Sequence, residues 1–429
     1  MTAKNENINR HLDHLFRHES GKLVSVLTRI FGTENLDMAE DVVQDSIVEA
    51  FKQWTYSGIP ENPAGWLYTV SKNKALNILN REKNKRKYAD ELARDSESEN
   101  SSGQTLDHYF SEEGIADDQL RMIFTCCHPS IPSDSQVALT LKTLCGFSIK
   151  EIAKAFLTND ETINKKLVRA RQKLRQESVT FEVPEGKDME KRLNTVLKTI
   201  YLLFNEGYSA SSGKDLIRTE LCEEAIRLAS LISEHDTIQD KSEVYALLAL
   251  MQLNTSRFSA RQNNEGHILT MAEQDRSVWN KELMQAGLNN LERSTYNKNV
   301  SIYHVLAAIS AYHCVAVSFE TTDWKSILAL YDSLLEFDNS PVALLNRAIA
   351  LSKVHGAEKG IQELDLIKDN PSIKTYHLFY SSQAQFYYEL NNFSEAAESL
   401  KKAIKYSTLP SEKTLLEERL KTCIEKIVT

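Results

Sequence analysis

The chain has 429 residues, a formal net charge of −9 and no long apolar run, which argues against a membrane-spanning protein and against one that coats nucleic acid uniformly. Its length suffices for two or three domains, each with its own core. Six cysteines show no disulfide-like framework and no signal peptide precedes them, so a reducing cytoplasm is the expected location. Gly and Pro are scarce, alternating β-branched runs are nearly absent, and apolar residues recur at intervals of three and four, which predicts an all-α fold. Basic residues gather after Lys72 and after Lys150 while acid dominates between them and in much of the second half, a pattern that suits local DNA contact by an otherwise acidic protein.

In chain order, a first amphipathic helix runs through Leu12, Leu15, Phe16, Leu23, Val24, Leu27 and Ile30 and stops at Gly32. A second starts near Asp37, with Val43, Ile47, Ala50 and Phe51 as its core stripe. That stripe leaves Glu40, Asp41, Gln44, Asp45 and Glu49 as an acidic outer face, which taken alone reads as a solvated surface. A polar loop over 55–63 holds Tyr56, Gly58, Pro60 and Asn62. Pro63 opens a third helix with Trp66, Leu67, Val70, Ala75, Leu76, Ile78 and Leu79 inward and Asn73, Lys74, Asn77 and Arg81 outward, followed by Lys83, Lys85, Arg86 and Lys87. Asn side chains offer paired donors and acceptors to base edges and lysines neutralise phosphates, so this face suits DNA. An exposed aromatic loop just before it suits an unstacked base.

Residues 88–114 carry Asp90, Glu91, Asp95, Glu97 and Glu99 among serines, a composition that cannot bury much surface and reads as a mobile tether. Asp117, Asp118, Leu120, Ile123 and Phe124 begin a new helix. Cys126, Cys127 and His128 lack chelate spacing, so no metal is expected there. A helix through Val137, Leu139, Leu141 and Leu144 ends at Gly146. Next, over 148–175, two apolar stripes face each other across a three-residue connection: Ile149, Ile152, Ala153 and Phe156, then Ile163, Leu167, Ala170 and Leu174. This is helix-turn-helix spacing. Asp160 or Asn159 can cap the second helix, and Asn159 can supply the left-handed geometry of the missing turn glycine. The outward face carries Thr162, Asn164, Lys165, Lys166, Arg169, Arg171 and Lys173, fit either for a phosphate-lined groove or for solvent.

The order of these elements resembles a sigma factor of the extracytoplasmic-function class. The acidic helix at Ala39, Glu40, Asp41, Val43, Gln44 and Asp45 and the Trp66-Leu67-Tyr68 helix look like region two; the helix-turn-helix ending Arg169-Ala170-Arg171-Gln172-Lys173-Leu174 looks like region four. The resemblance implies that Glu40, Asp41, Gln44 and Asp45 dock on the β′ clamp helices of core RNA polymerase, whose β flap is a further partner. It implies that the loop with Tyr56 and Asn62 captures a flipped minus-ten base, with Trp66, Asn73, Lys74, Asn77 and Arg81 against the adjacent DNA. Thr162, Asn164, Lys165, Lys166, Arg169 and Lys173 would then read the minus-thirty-five duplex of promoter DNA. The loop departs from the commonest version, with Pro60, Pro63 and no Arg-Gly pair, which leaves open which base it reads. By the same likeness, the acidic connector passes near the polymerase cleft.

Simple members of that class end near Leu174, whereas this chain continues. A helix through Leu193, Val196, Leu197, Ile200, Tyr201, Leu203 and Phe204 leads to an Asn205-Glu206-Gly207-Tyr208 corner, read as a helix stop with a glycine cap. A polar cluster, Ala272 to Trp279, precedes another amphipathic helix. A hydrolase can be assembled on paper from Glu206, His267 and Asp275, but no nucleophile elbow, phosphate loop or metal spacing accompanies them. After Ser301, Trp324, Ala357 and Phe393 open similar apolar patterns 33 and 36 residues apart, near the period of about 34 of tetratricopeptide repeats. The expected organisation is therefore region two over 1–87, linker over 88–114, region four over 115–178, a helical extension over 179–300 and a repeat solenoid over 301–429. The solenoid's concave face would suit a protein or peptide. The whole resembles the subgroup of sigma factors with a long tetratricopeptide-like extension, in which both the Phe204–Tyr208 corner and the Asp275–Trp279 cluster recur. That likeness implies an extension acting in cis in place of a membrane anti-sigma factor, with no cofactor and no catalysis. The alternatives are a stand-alone helix-turn-helix regulator on a repeat scaffold, and a cytosolic hydrolase with an accessory DNA-binding segment.

Overall fold

In the computed structural model the described residues are 2–90, 109–156, 158–208, 218–263, 268–297 and 299–428, less the side chains of 2–14, 17, 82–90, 154–155 and 428. Among them every extended regular element is a helix, and strand pairing is limited to one antiparallel bridge between Gln262 and Ile268. The chain forms two compact units, Met1–Leu202 and Leu203–Thr429.

The first unit begins with α1 (Thr2–Phe31), α2 (Leu36–Ser57) and α3 (Pro63–Asp90). Leu23, Val26 and Leu27 of α1 are wholly buried, each removing apolar surface worth about 1.5–3 kcal/mol from water. Phe16 stacks on Trp54 at 5.5 Å between ring centroids, and Trp54 meets the edge of Trp66 at 5.4 Å, joining the three helices. The buried face of α2 comprises Leu36, Ala39, Glu40, Val42, Val43, Ser46, Ala50 and Trp54. The expected stripe is thus displaced at its end. Trp54 takes the core position, and Phe51, expected inside, is 56 % exposed. The polar loop is also shorter than expected, because Thr55 and Tyr56 complete the last turn of α2 and the chain leaves the helix at Gly58. Helix α3 continues to Asp90, into the first residues of the expected linker, most of which lies outside the described residues, at 91–108.

Helices α4 (Glu112–Cys126), α5 (Ser133–Thr143), α6 (Ile149–Ala155) and α7 (Asp160–Gln176) follow. Helices α4 and α5 pack on α1, and α6 and α7 pack on α5 and on each other. At the closest approach a Cβ on Gly21 would stand 2.0 Å from the Leu144 carbonyl oxygen, so the α1 backbone abuts the end of α5 where only glycine fits. Asp118, wholly buried on α4, receives Arg29 of α1 at 3.1 Å and Arg121 at 2.7 Å. The Thr33 hydroxyl donates to the Val179 carbonyl at 2.6 Å, and Arg192 donates to the Phe124 carbonyl at 2.5 Å. Cys126 and Cys127 are buried beside Thr143 and Thr140. Burial raises both thiols, Cys127 to about 11, which keeps them neutral as packing residues.

Helix α8 (Gly186–Tyr208) runs through the boundary of the two units. The expected glycine-capped stop is not there: Asn205, Glu206 and Gly207 are helical. Gly207 is small for a different reason, since a Cβ would meet Cys222 Sγ at 2.7 Å and the Arg218 carbonyl oxygen at 2.9 Å as the next helix crosses. The second unit continues with α9 (Thr219–Glu234), α10 (Ser242–Thr255), α11 (Lys281–Ser294) and α12 (Ile302–Val315). Helix α10 is its centre, apolar on every side with Val244, Leu247, Leu248, Met251 and Leu253 buried, and α9, α11 and α12 pack around it. Then come α13 (Trp324–Leu334), α14 (Pro341–His355), α15 (Ala357–Ile367), α16 (His377–Glu389), α17 (Phe393–Tyr406) and α18 (Pro410–Val428), each packed chiefly on its neighbours in sequence. Trp324, Ala357 and Phe393, aligned from their spacing alone, are the first residues of α13, α15 and α17.

Candidate nucleic-acid and polymerase interface

Helices α6 and α7 are defined by their caps. Ser148 accepts from the Glu151 amide at 3.2 Å while the Glu151 carboxylate accepts from the Ser148 amide at 2.7 Å, a reciprocal capping box that starts α6. Asn159 starts α7, its side-chain oxygen accepting from the Thr162 amide at 2.8 Å and the Thr162 hydroxyl at 2.9 Å. Asn159 is extended, with φ −97° and ψ 161°, and not left-handed as expected; a capping residue needs the extended backbone to aim its side chain at the helix amides. Ile163, Leu167, Ala170 and Leu174 are buried, so the apolar stripe of α7 lies where its spacing predicts.

On the other side of α7, Asn164, Lys165, Arg169 and Lys173 are exposed, and Thr162 and Lys166 are half-buried. Lys165 pairs with Glu161 at 2.7 Å and Lys173 with Glu177 at 3.9 Å, both one turn apart on the helix surface. Such exposed pairs contribute little and yield readily to phosphate. Lys166 reaches Asp134 at the start of α5 at 2.8 Å, and this hydrogen bond holds the Asp134 carboxyl below the usual carboxylate range.

In the first three helices, Asn62 caps α3 by accepting from the Gly65 amide at 2.9 Å. Asn73, Asn77 and Arg81, four residues apart, form one exposed row on α3, while Lys74 is half-buried and bridges to Glu49 at 2.9 Å. Trp66 is half-buried against Trp54. Tyr56 is 93 % exposed, with Phe51 and Ile59 also exposed nearby in sequence, so three large apolar side chains project where α2 gives way to the loop. Phe51 was expected in the core and Ile59 was not singled out from sequence; exposure of large apolar groups is the signal, and it is visible only in three dimensions.

The acidic face of α2 divides. Asp41, Gln44 and Asp45 are exposed, but Glu40, expected beside them, is buried. It accepts from Arg171 of α7 at 2.7 Å, and Arg171 also reaches Asp37 at 3.1 Å. Arg175 pairs with Asp37 and donates to the Glu34 carbonyl at 2.9 Å. Arg171, expected on the outward face of α7, is thereby bound to α2. A cleft of about 400 Å³ opens between these parts, lined by Phe16, Glu40, Gln44, Ile47, Lys142 and Glu151 among others.

In the second unit, Glu206 pairs with Arg218 at 3.0 Å and Asp275 caps the Ser277 amide at 2.8 Å, which accounts for both acids of the hydrolase alternative by local structure; His267 lies outside the described residues.

Two helical modules, one with an acidic helix before an Asn-rich basic helix and one ending in a capped helix-turn-helix, define the domain pair of a promoter-recognition factor. Residues 15–85 match the model of sigma-70 region 2 and residues 121–174 that of sigma-70 region 4, while residues 192–295 match a family of unknown function, DUF6596. An uncharacterized protein of Rhizobium meliloti, R00370, is 32 % identical over 401 residues, 92 % of each chain. Over its N-terminal part the chain is similar to extracytoplasmic-function RNA polymerase sigma-E factors. That of Haemophilus influenzae is 28 % identical over 35 % of this chain and 78 % of its own, and that of Escherichia coli K12 is 28 % identical over 31 % and 69 %. The chain therefore carries the region 2 and region 4 domains of the sigma-70 family, the domain pair of transcription initiation factors, and over its N-terminal part it is similar to that family's extracytoplasmic-function class. It carries the DUF6596 extension after region 4.

Proposed function

We propose that this chain directs core RNA polymerase to a particular set of promoters, and that its C-terminal unit controls this step in cis. The observation that carries the reading is the succession of region 2 and region 4 in one chain, with a row of exposed Asn and Arg on α3 and a basic, well-capped α7. Asp41, Gln44 and Asp45 would meet the β′ clamp helices, and region 4 the β flap. Tyr56 and Asn62 would hold an unstacked minus-ten base, with Trp66, Asn73, Lys74, Asn77 and Arg81 along the adjoining DNA. Thr162, Asn164, Lys165, Lys166, Arg169 and Lys173 would lie in the minus-thirty-five major groove. Glu40 would join the polymerase contact only after Arg171 releases it, so engagement would begin with the parting of α2 from α7. The helical pairs from α13 onward would act as a tetratricopeptide-like scaffold for a protein or peptide.

Run-off transcription with core polymerase from a related bacterium tests the reading. The full chain should support initiation from a subset of host promoters, and Asp45→Arg should abolish both initiation and co-purification with core while leaving the helical content unchanged. Duplex binding without any association with core would instead favour a stand-alone regulator.

A further inference from the structure

Helix α17 packs against both α16 and α18, and the space left between these two outer helices is a pocket of about 200 Å³, with Leu400 of α17 in its wall. Ser381, Ala384, Gln385 and Tyr388 of α16 line it, at the intervals of three and four that put residues on one side of a helix. Arg419, Thr422 and Cys423 of α18 line the opposite side at the same intervals, and Lys426 extends that stripe by one turn. Tyr388 is a fixed wall: its ring meets the edge of Phe393 at 5.3 Å between centroids, and Lys426 Nζ lies 5.5 Å from its centre.

Among the described residues that line the pocket, Arg419 is the one with a charge. It is half-buried, and among the described residues its guanidinium makes no hydrogen bond or ion pair. Leu415, Leu416, Thr422 and Cys423, one turn away along α18, are uncharged, so none of the usual helix-surface pairs is open to it. Glu417, Glu418 and Glu425 are exposed and lie off the stripe. Glu389, the last residue of α16, is held by Lys353 at 2.8 Å and by Gln385 at 3.1 Å. The positive charge reaches the buried Cys423 thiol, where Arg419 and then Lys426 oppose the rise in pKa that burial imposes. Thr422 already donates to the Glu418 carbonyl at 3.1 Å, whereas the Ser381 and Tyr388 hydroxyls have no hydrogen-bond partner among the described residues.

A guanidinium is a planar fork of donors whose geometry matches a carboxylate. One charge in the lining suits a monoanion, and Ala384, Leu400 and Cys423 supply apolar surface for whatever carries it. The volume is below the roughly 300–1,000 Å³ of pockets that bury a drug-sized molecule, so the group that fits is short. We propose that this pocket binds a carboxylate bearing a short apolar side chain, such as a small aliphatic acid or the last residue of a peptide, with Arg419 on the carboxylate and Ser381 and Tyr388 as neutral donors. The assignment rests on the reading of α13 to α18 as a binding scaffold and not on promoter recognition, so its failure would leave run-off transcription by the full chain as expected.

Saturation-transfer NMR on the full chain tests it, with N-acetyl-leucine as probe and N-acetyl-leucinamide as the same molecule without the charge. The acid should bind saturably and the amide about tenfold or more weakly, the scale of one charge-assisted contact. Arg419→Met should bring the acid down to the level of the amide and leave the amide unchanged. Ser381→Leu fills the pocket from the facing helix and keeps Arg419, so it should remove acid binding even if the methionine variant fails to fold. Hexanoate in the same titration separates the two sources: binding at least as tight as that of N-acetyl-leucine marks a free acid, and weaker binding marks a peptide end. Equal binding of acid and amide would overturn the proposal, as would the absence of saturable binding by both acids. A folded Arg419→Met chain that binds N-acetyl-leucine like the wild type would overturn it too, since the pocket would then recognise only the apolar group.

Discussion

Glu40 and Arg171 show how a single residue's setting changes its meaning. Read along the helix, Glu40 belongs with Asp41, Gln44 and Asp45; in the fold it lies against a guanidinium 131 positions away. With only about a tenth of each side chain exposed, the pair has lost most of its water, so removing one partner strands a charge. A double-mutant cycle of Glu40→Gln and Arg171→Met in urea unfolding should therefore give a coupling of about 1–3 kcal/mol, and a value near zero would show that solvent already screens the pair. His313 carries a second residue-scale expectation. Its folded pKa, about 4, lies below the ordinary imidazole value of 6.5, so as pH falls the unfolded chain takes the proton first. The stability that it contributes is complete above about pH 6.5 and drains away as pH falls toward 4. Between near-neutral pH and about pH 5 the loss should be roughly 2 kcal/mol, and His313→Gln should flatten that acid limb of the urea-midpoint profile.

At the scale of elements, α7 is the part most completely prefigured by its residues. The period of Ile163, Leu167, Ala170 and Leu174 orients the helix, Asn159 starts it, and the remaining positions must face outward. Lys166 and Arg169 lie on that outward side, Lys166 already holding a carboxylate that phosphate can replace. Lys166→Ala with Arg169→Ala should weaken promoter-duplex binding across sequences and reduce the slope of log affinity against log salt by about two, one per lost phosphate contact. An unchanged slope would place the duplex elsewhere. Helix α2 was less legible. Phe51 and Trp54 are both large and apolar and both near the expected stripe, and which of them enters the core depends on Phe16 and Trp66, contributed by other helices. The Asn205–Tyr208 segment misled for a related reason. A glycine near a helix end suggests a cap, whereas Gly207 is needed because another helix crosses within van der Waals distance.

For the whole molecule, the boundary between Leu202 and Leu203 provides the informative cut. A chain ending at Leu202 keeps the Thr33 contact to Val179 and the Arg192 contact to Phe124, which a cut directly after α7 would remove. If the second unit restrains the first, this truncation should raise run-off transcription severalfold over the full chain; if it assists polymerase, transcription should fall to background while duplex binding persists. Equal activity of the two chains would sink cis control in either direction.

The linear chain by itself determined the helical class, the positions of α1, α3, α6 and α7, the common start of α13, α15 and α17, and the order of the two promoter-recognition modules. These follow from short-range rules: apolar period, caps and helix-breaking residues act within a few turns of one another. Tertiary structure alone decided that Glu40 is not a free acid, that Arg171 faces α2, that Phe51 is outside, and that Arg257 hydrogen-bonds to Tyr208 and lies within the field of Arg276. Each of those facts depends on partners tens to more than a hundred residues away, and no local period carries information about which distant helix will arrive.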